Sequence, residues 1–231
     1  LFIGPKESIK IQEDIRADII FAFDECTSPL ADYEYTKKSL EKTHRWAKIC
    51  LKSQKTHQAL FGIVQGGRFR DLREKGAKFI GSHDFAGFGI GGEFGVDKGT
   101  MIKMLNWTLA KLPGEKPRHL LGIGHPEDIE PIIKSGVDTF DCTMPTHYGR
   151  RGVAFIADGK LDLKKSQFLR DKNPINKKCP CEACQNYTRS YLAHLFKAGE
   201  ITAMKLLSSH NLYFFNSWIA KLREKIKAGK F

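Results

Sequence analysis

With 231 residues, 41% of them hydrophobic, the chain can bury a substantial core as one large domain or one domain with a small appendage. Its net charge of +12 is concentrated late, with 15 Lys/Arg against 5 Asp/Glu from Lys160 onward, a balance that suits a polyanionic partner, nucleic acid ahead of membrane. No apolar run reaches bilayer length and no charged-then-apolar leader precedes the first helix, so no membrane-spanning helix is expected in these residues and the cytoplasm is the expected compartment.

The chain opens on Leu1 rather than Met, which leads us to expect a longer native protein. Residues 8–16 read as a short helix leading into a strand over 18–23, which ends in Asp24-Glu25-Cys26. A long basic amphipathic helix follows over 33–55. The second strand, Ala59–Val64, ends in Gln65-Gly66-Gly67 and leads to a charged helix over 69–78. A third strand over 85–90 ends in Gly91-Gly92. The helix after it, over 98–112, carries Met101, Ile102, Leu105, Leu109 and Leu112 at helical spacing and is stopped by Pro113-Gly114. The fourth strand, 118–121, ends in Gly122-Ile123-Gly124. Pro126 starts the next helix, which ends near Gly136, and a fifth strand delivers Asp141.

Strand and helix thus alternate five times, the pattern of a parallel α/β sheet whose functional groups gather at the carboxyl ends of its strands. Five units do not close an eight-stranded barrel, so either the sheet is open or its first strands lie upstream of Leu1. After Gly152 the character changes: a short hairpin around Ala157-Asp158-Gly159-Lys160, a basic linker, a cysteine cluster, and two helices over 187–198 and 203–226. We therefore expect one domain over 1–160 and a basic, metal-binding appendage over 161–231.

Cys26, Cys50 and Cys142 stand apart, whereas Cys179, Cys181 and Cys184 fall within six residues. Clustered thiols in a cytosolic chain point to metal rather than to a disulfide. Zinc wants four ligands in a tetrahedron, and His194 and His210 compete for the last place. His210, at an expected break between helices, is favoured because its longer return lets the chain fold back over the ion. With all four places taken by protein, the site would be closed and structural.

Gly87-Phe-Gly89-Ile-Gly91-Gly92 matches G-x-G-x-x-G, but the glycines lie in and at the end of a strand and no acidic partner stands at the right distance. Gly91 and Gly92 better serve close backbone approach to a flat ligand. Asp24 and Gln65 form either a purine-recognition pair or strand-end caps, the carboxylate accepting from ring N–H and amine groups and the amide donating to a carbonyl. The stretch T-F-D-C-T-M-P-T-H-Y-G-R-R-G at 139–152 delivers Asp141, breaks at Pro145, and continues as a basic loop with His147, Arg150 and Arg151. It reads as a catalytic acid beside phosphate-holding groups, or as a strand cap followed by a solvated turn.

Six motifs, in order, resemble one family: A-F-D-E-C-T at 22–27, G-I-V-Q-G-G at 62–67, G-I-G-G at 89–92, L-L-G-I-G at 120–124, F-D-C-T-M-P-T at 140–146, and C-P-C-E-A-C with His210. This is the queuine tRNA-ribosyltransferase (tRNA-guanine transglycosylase) family, in its bacterial and eukaryotic-catalytic branch. The resemblance implies a (β/α)8 TIM barrel, of which this chain holds the later five units, with a C-terminal zinc-binding subdomain. It implies exchange of guanine at the wobble position of G-U-N tRNAs for a 7-deazaguanine, preQ1 or queuine. Asp141 would be the nucleophile that attacks ribose C1′ to give a covalent intermediate. Asp24, Gln65, Gly91 and Gly92 would hold the base, with Leu121 packing on its face. Gly122, Ile123, Gly124, His125, Pro126, Glu127 and Asp128, with Thr146, His147, Tyr148, Gly149 and Arg150, match segments that grip the anticodon loop around a splayed-out base. Zinc would be held by Cys179, Cys181, Cys184 and His210. The bacterial resemblance also implies a homodimer.

Three departures accompany the match. The family's acid/base aspartate belongs to a strand end upstream of A-F-D-E, and no residue before Asp24 supplies it. His147 stands where members carry an RNA-reading arginine. After Gly91-Gly92 the chain reads Glu93-Phe94-Gly95-Val96, a shorter, glycine-bearing loop that would admit the bulkier queuine. The alternative within the family is a non-catalytic tRNA-binding subunit. The alternative outside it is a barrel hydrolase acting on a sugar or nucleoside, for which a basic zinc appendage would have no purpose.

Overall fold

The computed structural model describes residues 2–92 and 98–231. The chain divides into two compact units, Leu1–Cys142 and Thr143–Phe231. The change of composition near residue 160 thus lies inside the second unit. The Glu93–Val96 departure lies outside the described residues.

In the first unit, α1 (Pro5–Ile15) begins with Pro5 in its first turn and with the Glu7 carboxylate accepting the Gly4 N–H at 3.0 Å. Then come β1 (Ile19–Phe21), α2 (Tyr33–Ser53), β2 (Ala59–Val64), α3 (Arg70–Gly81), β3 (Gly87–Ile90), α4 (Lys98–Leu109), β4 (Arg118–Leu120), α5 (Pro126–Lys134) and β5 (Thr139–Phe140). Asp32 caps α2 by accepting the Tyr35 N–H at 2.7 Å, the charge-complementary end for an acidic cap. All five strands are parallel and neighbour one another in chain order, β1-β2-β3-β4-β5. A doubly wound sheet reverses its order at a switch point; this one does not, and sequential winding is how a β/α barrel is laid down.

The two faces of the sheet differ. Ile20, Leu60, Val64, Phe88, Ile90 and Leu120 face the helices and share one core with Ile9, Ala47, Ile80, Met104, Leu105 and Ile132. The other face carries Phe61, Ile63 and the β3 glycines. A Cβ on Gly89 would fall 2.5 Å from the Ile63 Cδ1 atom, and one on Gly87 2.4 Å from the Phe61 ring. The G-F-G-I alternation is therefore a packing device: large residues toward the helices, glycines where β2 already fills the space.

β2 has the expected bounds, but the other strands are shorter than expected. β1 starts at Ile19 and ends at Phe21, and β5 holds two residues, so Asp141 stands just past it. Two helices also stop early, at Ser53 and Leu109.

In the second unit, α6 (Met144–Arg150) occupies the stretch expected to be a basic loop. Pro145 does not break it, because a proline in the first helical turn lacks only an N–H that has no intrahelical partner anyway. A tight antiparallel hairpin, β6 (Val153–Ile156) and β7 (Gly159–Asp162), a 3₁₀ turn (Ser166–Arg170), and helices α7 (Glu182–Asn186), α8 (Arg189–Lys197) and α9 (Ile201–Lys227) complete it. α9 runs unbroken through His210, correcting the expected break. Its buried residues Ala203, Leu206, Leu207, His210, Asn211 and Phe215 recur at helical spacing, and this periodicity outweighs the turn-like character of S-S-H-N. Leu163, Phe168, Leu192, Leu206 and Leu207 form the core with the three clustered cysteines. No helix among the described residues is long and apolar enough to cross a membrane.

Candidate functional site

Because the strands are parallel, their carboxyl ends lie at one end of the sheet. Asp24, Gln65, Gly91, Leu121 and Asp141 follow β1, β2, β3, β4 and β5 in turn. The ladder carries one residue beyond the strands at three of these ends: Gly91 N–H donates to the Val64 carbonyl at 3.0 Å, Leu121 N–H to Ile90 at 3.1 Å, and Asp141 N–H to Leu120 at 3.4 Å. These site residues thus sit where backbone is still held by the sheet while side chains are released from it.

Gln65 is buried and its Nε2 donates to Asp24 Oδ2 at 2.7 Å. Burial raises the Asp24 pKa above the usual carboxylate value, and the Gln65 hydrogen bond opposes that rise. One Nε2 hydrogen is spent on Asp24, and the buried Oε1 has no hydrogen-bond partner among the described residues. Under the glycines lies Arg73, fully buried. Its Nε donates to the Gly67 carbonyl and its Nη1 to the Gly91 carbonyl, both at 2.7 Å. Burial lowers the guanidinium to about 10, still charged at neutral pH. Gly92 has φ +96, and a Cβ there would fall 2.7 Å from Arg73 Nη2, so only glycine fits this turn.

At the other edge of the sheet, Asp141 is exposed, and its Oδ1 accepts the Gly122 N–H at 3.0 Å and lies 3.2 Å from His119 Nε2. Of the following segment, Gly122 and Glu127 are exposed, while Ile123, His125, Pro126 and Asp128 are half-buried. Gly124 is buried, and its carbonyl accepts the Cys142 thiol at 3.4 Å. His125 precedes α5, and Pro126, Glu127 and Asp128 form its first turn.

In the second unit, Arg150 and Arg151 are exposed, and Thr146, His147 and Tyr148 are half-buried. Lys160 Nζ lies 4.6 Å above the Tyr148 ring. Gly149 is buried instead: a Cβ there would fall 2.7 Å from the Ser208 Cα, so it lets α6 cross α9 closely.

Cys179, Cys181, Cys184 and His210 are all buried, and their four ligand atoms lie within 4.8 Å of one another. His210 Nδ1 is 3.9, 3.4 and 3.4 Å from the three sulfurs in chain order. A tetrahedral ion about 2.3 Å from sulfur and about 2.0 Å from nitrogen spans an S···N edge of about 3.5 Å, which these distances bracket. His210 Nε2–H donates to the Phe155 carbonyl at 2.9 Å, which turns the Nδ1 lone pair toward the thiols. Burial raises the Cys179 and Cys184 thiols, so a metal entering the cluster displaces protons. The four groups fit a closed metal site; His194 is exposed on α8 and takes no part.

Three residues escaped the sequence reading. Arg73 left a signal, a charge on the stripe Leu72, Arg73, Gly76, Ala77, Ile80 that α3 buries. His119 sits inside a strand, and Asn211 reads as a turn residue; neither left one.

A family profile described as Queuine tRNA-ribosyltransferase matches residues 1–231. A protein of Archaeoglobus fulgidus is 48% identical over 99% of this chain and 59% of its own. The queuine tRNA-ribosyltransferase of Natranaerobius thermophilus is 45% identical over 100% of this chain and 63% of its own. That of Halothermothrix orenii is 44% identical over 98% and 61%. The chain therefore spans about three fifths of the length of the curated relatives it matches.

Proposed function

Since the chain belongs to the queuine tRNA-ribosyltransferase family, we propose that the whole protein exchanges guanine at the wobble position of G-U-N tRNAs for a 7-deazaguanine, preQ1 or queuine, with Asp141 as nucleophile. The observation that supports this best is the row of strand ends: a hydrogen-bonded pair of half-buried Asp24 and buried Gln65 after β1 and β2, side-chain-free backbone at Gly91 and Gly92 after β3, and an exposed carboxylate after β5. The pair and the glycine backbone hold a flat purine by its polar edge, with Leu121 against its face. Asp141 attacks ribose C1′ and guanine leaves; the incoming base then displaces the carboxylate. Two displacements replace one hard step. The proton that the leaving guanine takes and the incoming base surrenders belongs to the family's acid/base aspartate, which the resemblance puts ahead of the A-F-D-E motif.

In this reading the five sequential strands are part of a (β/α)8 barrel, and residues 122–128 and 146–150 grip the anticodon loop, with Arg150 on phosphate. Cys179, Cys181, Cys184 and His210 hold one structural zinc, which ties the loop to α9 and takes no part in the chemistry. The protein works in the cytoplasm, on tRNA, as a homodimer.

The test is trapping of the covalent enzyme–tRNA species on a denaturing gel, with the full-length protein. Asp141→Asn abolishes the trapped band while tRNA binding persists. A normal band in that variant sinks the nucleophile assignment. tRNA binding with no band in the unaltered protein favours a non-catalytic subunit of the same family.

A further inference from the structure

Asp141 is exposed, and an exposed aspartate samples several rotamers, so a nucleophile in this position needs something to aim it. Two groups converge on it, one of them held in turn by a third. β4 pairs with β5 in a register that sets His119 opposite Thr139. His119 Nδ1 is 2.9 Å from Thr139 Oγ1, and its Nε2 is 3.2 Å from Asp141 Oδ1, which also accepts the Gly122 N–H at 3.0 Å. The imidazole is mostly covered and lies against the Phe21 ring at 5.3 Å between centroids, so it is not free to turn away.

We propose that His119 is a positioning residue for the exchange reaction: together with the Gly122 N–H it ties Asp141 Oδ1 and leaves Oδ2 as the attacking oxygen. The inference rests on the reading of Asp141 as nucleophile. A carboxylate only accepts, so Nε2 carries the hydrogen; in the neutral ring Nδ1 then accepts from the Thr139 hydroxyl. The chain of donors runs one way, from Thr139 through His119 to Asp141. A lone pair on Oδ2 forms the bond to C1′ as the C1′–N9 bond breaks. That bond's electron pair leaves with guanine, which takes a proton from the acid/base aspartate. Oδ1 becomes the carbonyl oxygen of the glycosyl ester and keeps its two donors. When the incoming 7-deazaguanine gives its N9 proton to the same aspartate and bonds to C1′, those donors receive the charge that returns to the departing carboxylate.

The measurement is guanine exchange by the full-length protein, separating kcat from the KM for tRNA. His119→Phe keeps a ring against Phe21 but has no donor; it lowers kcat about 10- to 100-fold and leaves KM within about twofold. His119→Gln, whose amide N–H reaches the place of Nε2, restores kcat to within about fivefold of the unaltered enzyme. Thr139→Val, which frees the tautomer, loses less than His119→Phe. The inference falls if His119→Phe keeps its kcat, if Gln and Phe are equally impaired, or if the loss lies in KM. Should His119→Phe fail to fold, an unchanged kcat in Thr139→Val overturns it. Asp141→Asn separates the two levels: trapping that survives it removes the nucleophile itself, whereas Asp141-dependent trapping with normal kcat in His119→Phe removes only the positioning role.

Discussion

Asn211 is wholly buried, yet every polar atom of its amide has a backbone partner. Nδ2 donates to the carbonyls of Pro145 and Val153, and Oδ1 accepts the Phe155 N–H, each at 2.9 Å. The preceding residue, His210, donates to the Phe155 carbonyl, so two adjacent α9 residues satisfy both backbone groups of Phe155. One amide thus links α6, β6 and α9 where no water reaches. Replacing it strands three backbone groups, and a buried unpaired polar group costs about 1–3 kcal/mol. Asn211→Ala is therefore expected to lose roughly 2–4 kcal/mol, the water-filled remnant of the cavity recovering part of the sum. Urea unfolding of the full-length protein reads this as a lower midpoint at unchanged slope. A midpoint equal to that of the unaltered protein would mean that the three groups find other partners. The sequence holds no sign of this role, since asparagine in S-S-H-N favours turns in isolation and only the packed partner strand makes it a core residue.

Among the elements, the C-P-C-E-A-C loop and α9 depend on one another most directly. The three cysteines belong to the core that includes Leu192 and Leu207, but the helix that carries Cys184, α7, spans only Glu182–Asn186, too short to hold itself. His210 reaches the loop from the middle of α9, a rigid element that fixes the fourth ligand in place. A metal joining them supplies what the short loop lacks. Full-length protein is expected to carry about one zinc per chain. Cys184→Ser should fall well below half of that by elemental analysis, with earlier loss of helical signal on heating. Zinc retained in full by Cys184→Ser would refute the four-ligand site. The three thiols of the cluster were legible in the sequence as a candidate metal site because three cysteines in six residues have few other uses. The continuity of α9 was not, because its stripe of buried residues passes through a polar tetrapeptide. α6 was missed for a related reason: Pro145 reads as a breaker unless its place in the first turn is known.

At the scale of the molecule, the five βα units could be counted from apolar runs that end abruptly in small or polar residues, and those endings are also where the candidate site lies. Periodicity speaks of each strand alone, so the neighbour order β1-β2-β3-β4-β5 had to come from pairing. His119 stayed hidden because it lies one step inside a strand, and its meaning depends on which residue of β5 stands opposite. Charge, by contrast, is additive and needs no fold to be read. The surplus of 15 Lys/Arg over 5 Asp/Glu from Lys160 onward makes a direct prediction for tRNA binding. Each phosphate neutralised releases counterions, so the logarithm of the binding constant should fall linearly with the logarithm of salt concentration, by about 0.7 per single-stranded and about 0.9 per duplex phosphate. Lys164 and Lys165 are exposed beside the hairpin. Replacing both with Ala in the full-length protein should reduce the salt slope by about one to two and weaken binding most at low salt. Asp141→Asn should leave the slope unchanged, since a nucleophile adds no counterion release. Parallel salt lines for the double lysine variant would mean that the basic surplus at these positions serves solubility, and that RNA is gripped elsewhere.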